Sequence, residues 1–262
     1  MPAGFAIPQD PPTSGLLAGR VAVVTAAAGT GIGGAVARRF AREGAALMIS
    51  DRSESRLAET RDRLAAEVDT PVMARVCDVT DGNAIENLYE QTERDLGPID
   101  IAFNNAGLGG SVSLVDMTDE EWMTVLDVTL NSTFRCTRAL LRRMIPRGRG
   151  VVINNSSITG WRAEAGQCHY AAAKAGVMAL TRCAAAEAGP HGVRVNAIAP
   201  TITAHENLAR AVDADTLAGW AAAQPQRRAA EPFEIAAAVA FLASDHSSYL
   251  TGEVLSMSGQ HP

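Results

Sequence analysis

Residues 151–176 read VVINNSSITGWRAEAGQCHYAAAKAG. Val151 to Asn154 form a short β-branched run of the kind that makes a buried strand. The run leads into Ser156-Ser157, and a glycine-containing loop follows. Tyr170 and Lys174 then stand four apart in an alanine-rich segment predicted to be helical. That spacing puts a phenol and an ammonium on one helix face. A free tyrosine has a pKa near ~10 and exchanges protons poorly at neutral pH, and a fixed positive charge beside it lowers that value. Ser157 lies where a strand end brings its hydroxyl beside the phenol. Together the three side chains can polarise a carbonyl and pass it a proton, or take one from an alcohol. A Tyr and a Lys at helical spacing are often only a solvated surface pair, so the rest of the chain must decide.

With 262 residues, 47% hydrophobic and 20% charged, the chain suits a single α/β domain with a full core. A net charge of −6 argues against a general nucleic-acid binder. No apolar run reaches the ~18 residues needed to span a membrane. Residues 1–15, MPAGFAIPQDPPTSG, carry no basic-then-apolar signal pattern and are expected to be a flexible tail ahead of a domain over 16–262. Cys77, Cys136, Cys168 and Cys183 are widely spaced and form no CxxC pair. They fit reduced thiols in a cytoplasmic protein better than disulfides or a metal site.

Outward from the central stretch, apolar runs and helical patterns alternate. Arg20–Thr25 is a candidate parallel strand, followed by Ala26-Ala27-Ala28-Gly29-Thr30-Gly31-Ile32-Gly33 and a helix to about Glu43. Glycines in such a turn let the backbone approach a diphosphate, and the helix start offers free N–H groups. A second strand over 45–50 ends at Asp51, where an acid can accept both ribose hydroxyls of NAD and repel the 2′-phosphate of NADP. Arg52 follows, and an arginine there can instead hold that phosphate. A helix over 54–68 and a strand over 72–76 lead to Asp78-Val79, with Asp78 at the adenine edge or capping the next helix over 81–96. A strand over 99–103 ends in Asn104-Asn105-Ala106-Gly107. Thr118 caps a long helix running through Trp122 and Leu140. A strand over 193–198 ends at Pro200, and an alanine-rich helical insert over 201–230 is a candidate substrate lid. A helix from Glu231-Pro232 and a strand over 253–257 close the chain. This alternation predicts one doubly wound parallel sheet with helices on both faces. The glycine turn, Asn104, Ser157 and Pro200 then all fall at the carboxyl edge, where such sheets bind ligands.

The glycine turn, CDVT, NNAG, the Ser…Tyr-x-x-x-Lys set and TGEVLSMSG together resemble the short-chain dehydrogenase/reductase family over about residues 16–260. The resemblance implies that Ser157 orients the carbonyl or alcohol, Tyr170 is the acid/base, and Lys174 lowers the tyrosine pKa and holds the nicotinamide ribose. It further implies a homotetramer using NAD(H), with NADP(H) as the alternative. The cofactor would be held by residues 29–33, Asp51, Arg52, Asp78, Val79, Asn105, Ala106, Gly107, Tyr170, Lys174, Pro200, Ile202 and Thr203. The chain departs from the family's pattern in three places. The turn has one extra residue and Ala26 in place of the first glycine. Thr129 stands where the family has an asparagine whose position kinks a helix and whose carbonyl holds a relay water. Pro200-Thr201 replaces Pro-Gly, and His205 falls where a threonine is usual, as a candidate substrate contact. The extra alanine turn, GWRAEAGQ and the terminal SGQHP resemble an actinobacterial branch acting on steroid-derived or acyl-CoA intermediates. An NAD(H)-dependent alcohol/ketone oxidoreductase is therefore expected. The alternatives are an NADPH-dependent 3-oxoacyl-thioester reductase and a nucleotide-bound scaffold without turnover.

Overall fold

The computed structural model describes residues 7, 9–162, 164–204 and 213–258. Its centre is a seven-stranded, wholly parallel sheet in the order β3-β2-β1-β4-β5-β6-β7. The strands are β1 (Val21–Val24), β2 (Ala46–Asp51), β3 (Val72–Val76), β4 (Ile101–Asn104), β5 (Gly150–Asn155), β6 (Val193–Pro200) and β7 (Val254–Met257). The helices are α1 (Ile32–Arg42), α2 (Glu54–Ala65), α3 (Gly82–Leu96), α4 (Asp119–Leu126), α5 (Ser132–Met144), α6 (Cys168–Ala188), α7 (Ala214–Ala223) and α8 (Pro232–Ala243).

The inner strands β1, β4, β5 and β6 are largely apolar on both faces because both faces are covered, while the edge strands β3 and β7 are partly exposed. Ala22, Val24, Leu47, Ile49, Ile101, Phe103, Ile153 and Ile198 pack with Phe40 of α1, Leu57 of α2 and Val239 of α8. The alternate positions Val23, Met48, Ala102, Val152 and Val195 pack on the other side with Leu88 of α3, Leu140 of α5 and Ala185 of α6. Strand order reverses between β1 and β4, so a crevice opens outside their carboxyl ends. No helix among the described residues is long and apolar enough to cross a membrane.

Two expectations are corrected. The long helix after Thr118 is not continuous. Its start carries the capping box, with Thr118 accepting from the Glu121 amide. A π-helical turn over Asp127–Asn131 then separates α4 from α5. The wider turn is stabilised by hydroxyls: Ser132 Oγ donates to the Val128 carbonyl at 2.6 Å and Thr133 Oγ1 to the Thr129 carbonyl at 2.7 Å. The tail is not free through residue 15 either. Arg39 of α1 bonds the Asp10 carboxylate at 3.2 Å and the Pro11 carbonyl at 2.9 Å, while Glu43 accepts from the Ser14 and Leu16 amides at 3.0 Å each. Burial pushes the Glu43 carboxyl up, but those amides and Arg39 outweigh it and hold it below the usual range. Of the insert over 201–230, residues 214–223 form a helix, and residues 205–212, with the candidate contact His205, lie outside the described residues.

Candidate active site

A ladder of asparagines ties the strand ends together. Asn104 and Asn154 are register partners on β4 and β5, and Asn104 Nδ2 donates to Asn154 Oδ1 at 2.9 Å. Asn154 Nδ2 reaches Thr181 of α6 at 3.0 Å. One residue on, Asn155 Nδ2 donates to Asn105 Oδ1 at 2.9 Å, and Asn105 Nδ2 donates to the Ala26 carbonyl at 3.0 Å. The edge formed by β5, β4 and the turn after β1 is thus one hydrogen-bonded unit.

α6 is fastened to this unit at Lys174. Ser156 Oγ donates to the Lys174 carbonyl at 2.9 Å, and the buried Lys174 ammonium donates to the Asn155 carbonyl at 2.6 Å. One turn earlier is Tyr170, its ring centroid 5.5 Å from Lys174 Nζ. Glycines make room for both. A Cβ on Gly107 would lie 3.2 Å from Lys174 Nζ, and one on Gly109 would touch the Tyr170 ring at 3.7 Å. Ser157 Oγ donates to Thr159 Oγ1 and accepts from the Thr159 amide, both at 3.2 Å. Ser157, Tyr170, Ile32, Pro200, Ile202 and Thr203 line a single cavity of about 450 Å³. Trp220 and Gln224 of the insert, and Arg162 and Gln167 of the loop before α6, line it too. None of these four was singled out as a site residue in the sequence, since the contacts are non-local and the residue types carry no motif.

Protonation here differs from expectation. Burial raises the Tyr170 phenol, with the Ser157 hydroxyl pulling it back down. Burial also pushes the Lys174 ammonium down to about 7, against its bond to the Asn155 carbonyl, which favours the charged form. For Tyr170, removal from water outweighs any lowering and sets the direction of the shift. Lys174 lies below its ordinary value of 10.5, so the unfolded chain holds that proton more tightly between pH 7 and 10.5. Stability from this group consequently rises with pH across that window. Above pH 9 the raised Cys77 thiol, at about 12, works the other way. Between pH 7 and 9, wild-type protein without cofactor gains on Lys174→Met by on the order of 1 kcal/mol per pH unit at most. Chemical denaturation of both proteins across this range measures the difference, and a constant gap would show that Lys174 keeps its ordinary affinity.

A second hollow, about 200 Å³, lies across the end of β2. Asp51, Arg52, Asp78, Val79, Ala106 and Gly107 line it, and so do Ala26, Arg56 and Val128. The Asp51 carboxylate is fixed by the Ser53 amide at 3.0 Å and the Ala28 amide at 3.3 Å, with the Arg56 guanidinium 4.0 Å away. Asp78 caps nothing in α3, since Asp81 is the N-cap; its carboxylate takes the Thr80 amide and hydroxyl, which hold it below the usual range. Between the two hollows runs the glycine turn. Ala26 adopts φ +49, a left-handed conformation that favours glycine, at a strain of about 1–2 kcal/mol. The turn leans on α2, where the Gly29 amide donates to Thr60 Oγ1 at 3.0 Å. Thr30 is exposed, and Gly31 is the N-cap of α1 without a side-chain cap. Thr129 is buried in the π-helical turn, its Oγ1 bonding the Leu108 amide at 3.0 Å and the Leu108 carbonyl at 3.1 Å. Its methyl lies 3.8 Å from the position of a Gly107 Cβ, so it braces the loop beside Lys174.

A family model described as enoyl-(acyl carrier protein) reductase matches residues 26–259. A Mycobacterium tuberculosis protein named (5R,7aS)-5-hydroxy-7a-methyl-1-oxo-2,3,5,6,7,7a-hexahydro-1H-indene-carboxyl-CoA reductase is 55% identical over 257 residues, 97% of this chain and 98% of that one. The 3-oxoacyl-[acyl-carrier-protein] reductase FabG of Escherichia coli K12 is 37% identical over 92% of this chain and 96% of its own. A solved short chain dehydrogenase from Mycobacterium smegmatis superposes with a TM-score of 0.88 at 52% identity, covering 98% of this chain and 99% of that chain. With this sheet, this carboxyl edge and these relatives, the chain belongs to the short-chain dehydrogenase/reductase family of oxidoreductases.

Proposed function

We propose that the chain is an NAD(H)-dependent reductase and dehydrogenase interconverting a secondary alcohol and a ketone on a bulky, apolar substrate carried as a coenzyme A thioester. One placement carries the proposal: the Tyr170 phenol and the Ser157 hydroxyl line the same cavity, beside the buried Lys174. The substrate class is drawn from the relative named as an indene-carboxyl-CoA reductase.

The chain's residues fit a dinucleotide. The hollow at Asp51 suits the adenosine, the uncapped start of α1 at Gly31 offers amides to the diphosphate, and Ile32, Pro200, Ile202 and Thr203 line the cavity at the far end. Bound there, the nicotinamide supplies or receives the hydride. In reduction, Tyr170 donates its proton to the carbonyl oxygen, and Ser157 exchanges its long bond to Thr159 for a second bond to that oxygen. Lys174 spends one of its three donors on the Asn155 carbonyl and offers the others to a ribose hydroxyl, which restores hydration to the ammonium. Charged in this way, it stabilises the phenolate left behind. The Thr129 carbonyl, which takes the Thr133 hydroxyl, retains a second lone pair for a relay water. We further propose the homotetrameric, cytoplasmic state that family resemblance suggests.

Cofactor choice turns on Asp51. A 2′-phosphate about 4 Å from its carboxylate meets repulsion on the order of 4 kcal/mol per charge pair at a surface-like dielectric, before salt screening. Arg52 and Arg56 in the same hollow offset part of this. NAD(H) is therefore expected to exceed NADP(H) by at least about tenfold in kcat/KM, or about 1.4 kcal/mol. Asp51→Ala is expected to abolish that preference. Steady-state kinetics with both cofactors, on a panel of fused-ring ketones and 3-oxoacyl thioesters, tests the reading. A wild-type preference for NADPH with linear 3-oxoacyl thioesters would favour the second one, to which the arginines and the FabG relative point.

A further inference from the structure

α7 has no buried residue. Polar ties join its C-terminal end to the loop after β6. Its N-terminus is capped by Asp213, which accepts from the Thr216 amide at 2.9 Å. At the other end Gln224 bonds in two directions. Its Oε1 accepts from Thr201 Oγ1 at 2.9 Å, and its Nε2 donates to the Trp220 carbonyl at 3.2 Å. Thr201 is the residue that replaces the glycine after Pro200, so this tie depends on a side chain that the usual sequence lacks. Below it the two ends of the insert are clamped by a parallel bridge between Thr203 and Ala230, in which the Ala230 amide donates to the Ile202 carbonyl at 3.0 Å. Arg228 then grips Glu234 of α8 through two bonds of 2.6 Å.

These ties hold Trp220, whose neighbours on α7 are mostly alanine and glycine. Trp220 is 36% exposed and lines the cavity that contains Ser157 and Tyr170, with Ile158 and Ile202 among the other apolar residues. The part of the indole left open to the cavity contributes no burial until another apolar surface covers it. The volume of about 450 Å³ lies within the range of ligand pockets.

We infer that Trp220 is a specificity-determining residue, the platform for the fused-ring part of the substrate, and that the Thr201–Gln224 hydrogen bond is the device that positions it. The inference rests on the oxidoreductase reading above and adds the residues that select a ring over an open chain. A rigid bicycle presents a broad face to the indole at little entropic loss, whereas a flexible acyl chain must be ordered to make the same contact.

The test compares a hydrindanone with an open-chain 3-oxobutanoyl thioester. Trp220→Ala is expected to raise KM for the bicyclic ketone about tenfold or more, the scale of losing a large apolar pocket contact. Its kcat, and both constants for the open-chain substrate, stay within about twofold. Trp220→Phe regains most of the loss, and Thr201→Gly raises KM about threefold for the bicycle alone. Thermal midpoints with and without NAD show whether each variant folds and binds cofactor, and the Phe and Gly variants decide the matter if the alanine variant does not fold. Equal losses on both substrates, or no loss on the bicycle, overturn the inference and leave the reaction class standing. Absence of turnover on both by wild type overturns the oxidoreductase reading and this inference with it.

Discussion

Tyr170→Phe is expected to lower turnover at least ~100-fold while NAD binding stays within about twofold, as the loss of a general acid/base without loss of packing requires. The ring lies against Gly109 and beside the Lys174 ammonium, and a phenylalanine keeps both contacts. Only the hydroxyl disappears. Burial favours the protonated phenol, so in the proposed mechanism Tyr170 starts as the proton donor, and Lys174 with the cofactor ribose would ease release of that proton near neutral pH. Single-turnover and steady-state rates, with calorimetric titration of NAD, separate the two effects. A variant that keeps half its activity would remove Tyr170 from the chemistry.

Gly33→Ala should damage the protein more broadly. A Cβ there would stand 2.2 Å from the Ala26 carbonyl oxygen and 2.5 Å from Asn105 Nδ2, in the middle of the bond that joins the glycine turn to the asparagine ladder. The methyl group forces the turn away from β4 and breaks that bond. Overpacking and the lost hydrogen bond together amount to about 2–4 kcal/mol. For a chain of this size that lowers the melting temperature by about 5–15 °C. Affinity for NAD falls with it, because the displaced turn also carries the start of α1. Gly82→Ala is the control: it opens α3, meets nothing within 4 Å, and should leave stability equal or slightly higher. Calorimetry on both variants checks this, and an unshifted melt for Gly33→Ala would mean that the turn moves freely.

The sheet was legible because β1, β4, β5 and β6 are short apolar runs covered on both faces, and because Ser157, Asn105 and Pro200 end such runs at one edge. Cooperation between non-neighbours was not legible. The apolar spacing through Trp122, Val125 and Leu140 looks like one helix, and the π-helical turn depends on hydroxyls at Ser132 and Thr133 that any surface helix could carry. The glycine turn was visible, but its contact with Thr60 required the position of α2. Lys174 and Tyr170 were found by spacing, yet the direction of their proton affinities came from burial, which spacing does not encode. Trp220 and Gln224 were hidden for the same reason, since their significance lies in Thr201 and the cavity some twenty residues away in sequence.

The strap over α1 redraws where the fold begins. Arg39 and Glu43 look like an ordinary i,i+4 surface pair, yet Glu43 is fully enclosed and its carboxylate is shared between that arginine and the amides of Ser14 and Leu16. A chain shortened to start at Leu16 would keep every strand and helix, but it would take the Ser14 amide, the Asp10 carboxylate and the Pro11 carbonyl from two largely buried charges. The same helix begins at the glycine turn, so the residues before β1 act as a tether on its far end. The folded unit that holds α1 therefore reaches back to Asp10.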